Sequence, residues 1–129
     1  MFTRRKVVGL AALAVFAPTP VYARESVPFT RAAFDAAQKD GKSILIEIAA
    51  SWCPTCRAQK PIIEGLLDSA KFRGMVAFRI DFDDQADEVR AMGAQTQSTL
   101  ITFKGMEEAG RSVGDTNPES IEELLGRAI

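Results

Sequence analysis

The chain of 129 residues contains no histidine, and only two cysteines, one tryptophan and one tyrosine. Without histidine, the histidine-assisted serine and cysteine nucleophiles of hydrolases cannot be assembled from it. Two cysteines and no histidine also fall short of the four ligands that a structural zinc site takes. An excess of basic charge is missing too: 16 Lys and Arg stand, interspersed, against 17 Asp and Glu. That balance excludes the basic footprint which nucleic acid requires. The eleven-residue apolar run Val7 to Ala17 ends at Pro18 and Pro20, well short of the roughly 20 residues that cross a bilayer. No internal repeat or low-complexity tract interrupts the chain.

What is present begins with an address. Arg4, Arg5 and Lys6 precede the apolar run, and Val21-Tyr22-Ala23 ends it with a small-residue cleavage signal, so residues 1–23 read as a secretory signal peptide. Thr3-Arg4-Arg5 looks like the start of a twin-arginine signal, but Val7 and Val8 stand where a bulkier pair is usual, which makes ordinary secretion the default. Cleavage removes three bases and no acid, so the formal charge moves from −1 to −4. Residues 24–129 then form one small domain around one core.

Within that domain Thr30 caps a helix over about 31–39, and Ser43-Ile44-Leu45-Ile46-Glu47-Ile48-Ala49 is a buried central strand. The strand runs into Ser51-Trp52-Cys53-Pro54-Thr55-Cys56 and a helix from about Pro54 to Leu67. Met75 to Phe82 reads as a second strand and Asp84 to Met92 as a short helix. Leu100 to Phe103 and Glu108 to Val113 pair around Lys104-Gly105, and Asn117-Pro118 opens a last helix. Phe72, Phe78, Phe82 and Phe103 are core candidates. The order is that of an α/β fold: a central mixed sheet of about four strands with helices on both faces.

A disulfide across two intervening residues closes too small a loop to remove much unfolded-state entropy, so Cys53 and Cys56 are better read as reactive than as a staple. Cys53 sits at a helix N-terminus, where partial positive charge and free N–H groups favour the thiolate that is the nucleophilic form. Cys56 follows one turn later, within reach of a mixed disulfide formed at Cys53. Pro54 suits the first helical turn, and Thr55 adds a hydroxyl near the sulfurs. Trp52 is either core or the apolar rim against which a substrate packs.

Strand, Trp52, the Cys53-Pro54-Thr55-Cys56 motif, a helix with Pro61 five residues after Cys56, and Val113-Gly114 before the last helix together resemble the thioredoxin superfamily over about residues 30–128. The resemblance implies a thioredoxin fold and a thiol-disulfide oxidoreductase that needs no cofactor or metal. It implies that Cys53 attacks, that Cys56 resolves, and that Glu47 is a buried acid exchanging a proton with Cys56, with burial raising its pKa so that it is a workable base near neutral pH. Arg79 aligns with a basic partner of that acid, and an arginine there would hold the carboxylate charged more firmly than a lysine. An outward-facing Glu47 on an edge strand and an Arg79 that is simply a surface charge are the alternatives.

One position departs from the family. A cis-proline normally faces the cysteines, and here Ser98 holds its place, with Gln97 as counterpart of the residue whose backbone pairs with substrate. A non-proline cis bond costs about 2.5–4 kcal/mol, so Gln97-Ser98 is either cis and strained, the reading favoured here, or trans with a rearranged loop. The motif is similar to those of periplasmic thioredoxins serving cytochrome c maturation, and Phe34-Asp35-Ala36-Ala37 with Gly41-Lys42 is similar to reductase domains of membrane electron carriers. The expectation is a monomeric periplasmic reductase of disulfides in exported proteins, fed by a membrane thiol carrier. The alternatives are an oxidant or isomerase, or a non-catalytic binding and assembly module.

Overall fold

The computed structural model describes residues 24–129, preceded by Gly9, Ala11, Ala12 and Ala14. Apart from those four positions, the leader expected over 1–23 lies outside the described residues. The elements in chain order are β1 (Val27–Pro28), α1 (Arg31–Lys39), β2 (Ser43–Ala49), α2 (Pro54–Asp68), a 3-10 turn (Ala70–Phe72), β3 (Val76–Asp81), α3 (Ala86–Ala91), β4 (Thr99–Lys104), β5 (Glu107–Val113) and α4 (Pro118–Gly126). Local signals account for most boundaries. The Thr30 hydroxyl accepts from Ala33 N–H at 3.2 Å at the start of α1, and the Asn117 side chain accepts from Glu119 and Ser120 N–H at the start of α4. The β4–β5 hairpin turns through Gly105, whose φ of 59° suits a residue without Cβ.

The sheet order is β1-β3-β2-β4-β5. The β1–β3 and β3–β2 pairs are parallel, and the β2–β4 and β4–β5 pairs antiparallel, which gives the expected mixed sheet. Five strands form rather than about four. The additional one, β1, is two residues long and contains a proline, so it carries no hydrophobic alternation by which a sequence pattern could reveal it.

Strand periodicity sorts the side chains onto two faces. Ile44, Ile46 and Ile48 of β2 join Phe78, Ile80 and Ile101 under α1 and α3, while Leu45 joins Ala77, Leu100 and the inward residues of α2 and α4. Phe72 and Phe78 are buried as expected, and Phe82 and Phe103 pack partly buried against the core. Glu47 shares the Leu45 face and is therefore carried toward α2, so the edge-strand alternative does not apply: β2 lies between β3 and β4. Leu45 has no exposed surface, and its truncation leaves a cavity between β2 and α2. Leu45→Ala is expected to lower unfolding free energy by about 3 kcal/mol with an unchanged denaturant slope, measured by urea titration.

Candidate active site

Strand β2 delivers the chain to the site, and α2 carries it away. Cys53 is the N-cap of α2: its backbone is extended, with φ −86° and ψ 112°, and its sulfur accepts a hydrogen bond from Cys56 N–H at 3.1 Å. A cap position usually takes an oxygen that receives a free helical N–H, and here sulfur takes that place, at the positive end of the helix dipole. Pro54 opens the helix at a position whose N–H would have no helical partner. Cys56 lies on the inward face of α2 with Gln59, Ile63 and Leu67, at spacings of three and four residues. Both cysteines are free thiols, with exposures of only 1% for Cys53 and 7% for Cys56.

The two sulfurs are not equivalent. Burial, and then the hydrogen bond with Cys53, pushes the Cys56 thiol up, against hydrogen bonding from the Ala50 and Ser98 backbones. Cys56 is thus held as a thiol until a base removes its proton. A carboxyl, that of Glu47, lines the same cavity. A space of about 160 Å³ is lined by Glu47, Cys56, Gln59, Lys60 and Arg79 among others, which gives room and polar partners for a bridging water.

Burial raises the Glu47 carboxyl to about 7, against the pull of the Arg79 guanidinium; Glu64 adds to the rise, and Lys60 opposes it. Arg79 stands directly opposite Glu47 in the parallel β2–β3 register. Of the two opposing influences expected here, burial that raises the acid and the Arg79 charge that lowers it, burial is the larger. No Glu47–Arg79 contact is among the ion pairs within 4.0 Å of the described residues, so the guanidinium acts through space rather than by a direct bond. Lys60 is engaged by Glu64 at 3.7 Å and by Glu25 at 4.0 Å.

The outer rim is apolar and partly open. Trp52 is 52% exposed, meets Phe82 edge-on at 6.5 Å between ring centroids, and donates from Nε1 to the Asp83 carboxylate at 2.7 Å. This favours the rim reading over the core reading. Pro54 is exposed and Thr55 half-buried beside it. Behind the pair, the 95–98 segment departs from expectation. No cis bond occurs among the described residues: Gln97-Ser98 is trans, and Ser98 takes the left-handed region at φ 58°. A left-handed non-glycine residue costs roughly 1–2 kcal/mol, less than the cis alternative, which is a physical reason for the rearranged loop. The Ser98 carbonyl accepts from Gly114 N–H at 3.0 Å and from Gln59 Nε2 at 3.3 Å.

The model of the thioredoxin family matches residues 25–127. The chain belongs to the thioredoxin family. A thioredoxin H-type of Brassica campestris is 33% identical over 90 residues, covering 70% of this chain and 72% of the plant protein. Thioredoxin H2-1 of Oryza sativa subsp. japonica is 28% identical over 86 residues, covering 67% of this chain and only 61% of that relative's length. Among solved structures, Trxlp from Edwardsiella tarda superposes with a TM-score of 0.76 at 32% identity, covering 78% of this chain and 98% of that one. Thioredoxins are thiol-disulfide oxidoreductases, and the Cys53-Cys56 pair stands where that chemistry needs it, at the start of α2.

In thioredoxin terms, the structure gathers Cys56, Glu47 and Arg79 around one cavity and sets Trp52, Pro54 and Thr55 on the outer side of Cys53. Gln97 is half-buried, and Ser98 is buried with its backbone reaching Cys56. Two cavity residues escaped sequence reasoning, Gln59 and Lys60. Gln59 did leave a signal: it is the polar member of the inward stripe Cys56, Gln59, Ile63, Leu67, where an apolar residue would be the ordinary choice.

Proposed function

We propose that this thioredoxin-family chain reduces disulfides of exported proteins in the bacterial periplasm, with Cys53 as nucleophile, Cys56 as resolving thiol and Glu47 as proton acceptor. The observation that carries it is the division of labour between the two sulfurs. Cys53 receives the helix N–H that favours a thiolate, and Cys56 is a buried thiol sharing a cavity with a carboxyl that titrates near 7. The leader pattern ahead of residue 24 supports export, and the family match beginning at residue 25 agrees with a domain that starts beyond it.

The Cys53 thiolate attacks one sulfur of the substrate disulfide, forming a mixed disulfide and releasing the first substrate thiol after protonation. Cys56 passes its proton to ionised Glu47 and attacks Cys53 Sγ, which closes the Cys53–Cys56 disulfide and releases the second substrate sulfur as thiolate. Two electrons and two protons from a dithiol donor, proposed to be a membrane thiol carrier, restore the pair. Trp52 and the Gln97 backbone flank the reacting sulfurs and would hold the substrate segment.

The reduction potential separates this reading from an oxidant. Equilibration of the full chain with glutathione buffers, read by thiol alkylation, is expected to place the Cys53–Cys56 couple near the roughly −270 mV of thioredoxin. A value near −120 mV, about 10⁵-fold more oxidising at about 30 mV per decade, would reassign the chain to disulfide formation.

A further inference from the structure

Gln59 is buried to 3% exposure on the face of α2 where every other inward residue is apolar or a cysteine. Burying a primary amide is costly unless its hydrogens find acceptors. Both are used, and both go to backbone carbonyls outside the helix: Ser98 at 3.3 Å and Asp115 at 2.8 Å. Asp115 is itself tied to the start of α4, since its carboxylate accepts from Asn117 N–H at 2.9 Å and from the Ser120 hydroxyl at 2.5 Å. One side chain therefore joins three elements around the cysteine pair: α2, the 95–98 segment and the approach to α4.

The Ser98 end is the one under strain. A serine at φ 58° relaxes toward the common backbone regions unless its surroundings hold it. Its carbonyl is fixed from two sides, by the Gly114 N–H at the end of the β4–β5 ladder and by Gln59 from the helix. No pyrrolidine ring restricts this position. The restraint on the helix side comes from a hydrogen bond donated three residues after the second cysteine.

We propose that Gln59 is the positioning residue of this site: its amide latches the strained Ser98 backbone to α2, and so holds the Gln97 edge in the pose that pairs with a protein substrate. The Gln59 amide donates to backbone carbonyls and not to a reacting sulfur, and it acts through the Ser98 carbonyl. A substrate that uses the peptide edge feels its loss, and one that brings only a small disulfide to Cys53 feels it much less.

The proposal rests on the disulfide-reductase reading above, and its test separates the two. In the full chain, Gln59→Met keeps the side-chain length and removes both donors. Hydrogen exchange of the Gly114 amide, read by NMR without reference to turnover, is expected to accelerate at least about tenfold while amides in the centre of β2 keep their protection. With a protein disulfide as substrate, KM is expected to rise so that the preference for it over a small aromatic disulfide falls about tenfold, kcat changing little. If Gln59→Met does not fold, Gln59→Asn, one methylene too short to span both carbonyls, is expected to shift both readouts in the same direction. Unchanged Gly114 exchange overturns the latch, as does an equal loss on both substrates or a loss confined to kcat. If the unsubstituted chain reduces no protein disulfide, the reductase reading fails on that result, and the exchange measurement still decides for or against the latch.

Discussion

Cys53→Ser is expected to abolish reduction of insulin disulfides, by a factor on the order of 10³ or more, because a serine hydroxyl supplies no thiolate at neutral pH to begin the cycle. Cys56→Ser is expected to lose multiple turnover just as fully, but for a different reason, and the difference is measurable. Cys53 Sγ remains at the helix N-terminus, where the backbone N–H of residue 56 still points at it. The first attack therefore proceeds, the mixed disulfide cannot be resolved, and partners accumulate covalently on Cys53. Non-reducing electrophoresis of the two variants after exposure to substrate distinguishes them. Adducts on Cys53→Ser but none on Cys56→Ser would invert the roles proposed here, and unchanged insulin turnover in either variant would remove the cysteine cycle altogether. Absence of insulin turnover in the unsubstituted chain would favour the alternative in which the fold serves only to bind a partner.

The second large effect concerns Glu47, and it has two parts that move in opposite directions. As proton acceptor the carboxyl must be ionised, so the resolving step is expected to speed up as pH rises through about 7, where burial has placed Glu47. Glu47→Gln removes the acceptor with little change of shape. At pH 8 it is expected to slow decay of the mixed disulfide by about 10²-fold, the low end for a positioned base, and to erase the rise near pH 7. Quenched-flow decay of a preformed Cys53 adduct measures it, and an unchanged pH profile in Glu47→Gln would dismiss Glu47 from the mechanism.

Stability should respond the other way. The folded carboxyl titrates at about 7 against 4.5 in the unfolded chain, so the folded state binds the proton more tightly. The stability linked to that proton is fully present below about 4.5 and is lost progressively as pH rises to about 7, an upper bound of about 3 kcal/mol for the 2.5-unit shift. Glu47→Gln is expected to recover up to that amount at pH 8 and nothing at pH 4, by urea unfolding at the two values. A variant that is slower yet more stable at alkaline pH is the signature of a group kept buried for chemistry. Arg79→Met is expected to raise the Glu47 titration further, since the guanidinium opposes the rise without closing an ion pair.

Much of this architecture was legible in the order of residues. The run from Ser43 to Ala49 is largely apolar on both faces because helices cover both sides of the sheet there, and the Thr30 and Asn117 caps mark the starts of α1 and α4 in the same residues that do the capping. The placement of Cys53 at a helix N-terminus follows from the helical pattern that begins at Pro54, a residue suited to the first helical turn. Strand β1 was not legible, because two residues with one proline carry no period. Its existence depends on β3 offering a parallel edge for Val27 and Pro28 to join.

The site divides along the same line. Sequence alone determined that this protein does thiol chemistry at Cys53 and Cys56, because spacing, helix start and the absence of histidine are local or compositional facts. Alternation along β2 also placed Glu47 two residues from Leu45, hence on the same face. What only the tertiary structure decided is how the groups act on one another. Whether Arg79 or burial governs Glu47 is a balance between a charge across a strand pair and the solvent excluded by α2, and burial prevails. Whether Ser98 forms a cis bond or turns left-handed depends on what can hold its carbonyl, and the partners are 39 residues away in Gln59 and across the hairpin in Gly114. Those are long-range contacts, paid for by the whole fold, and no window of neighbouring residues contains them.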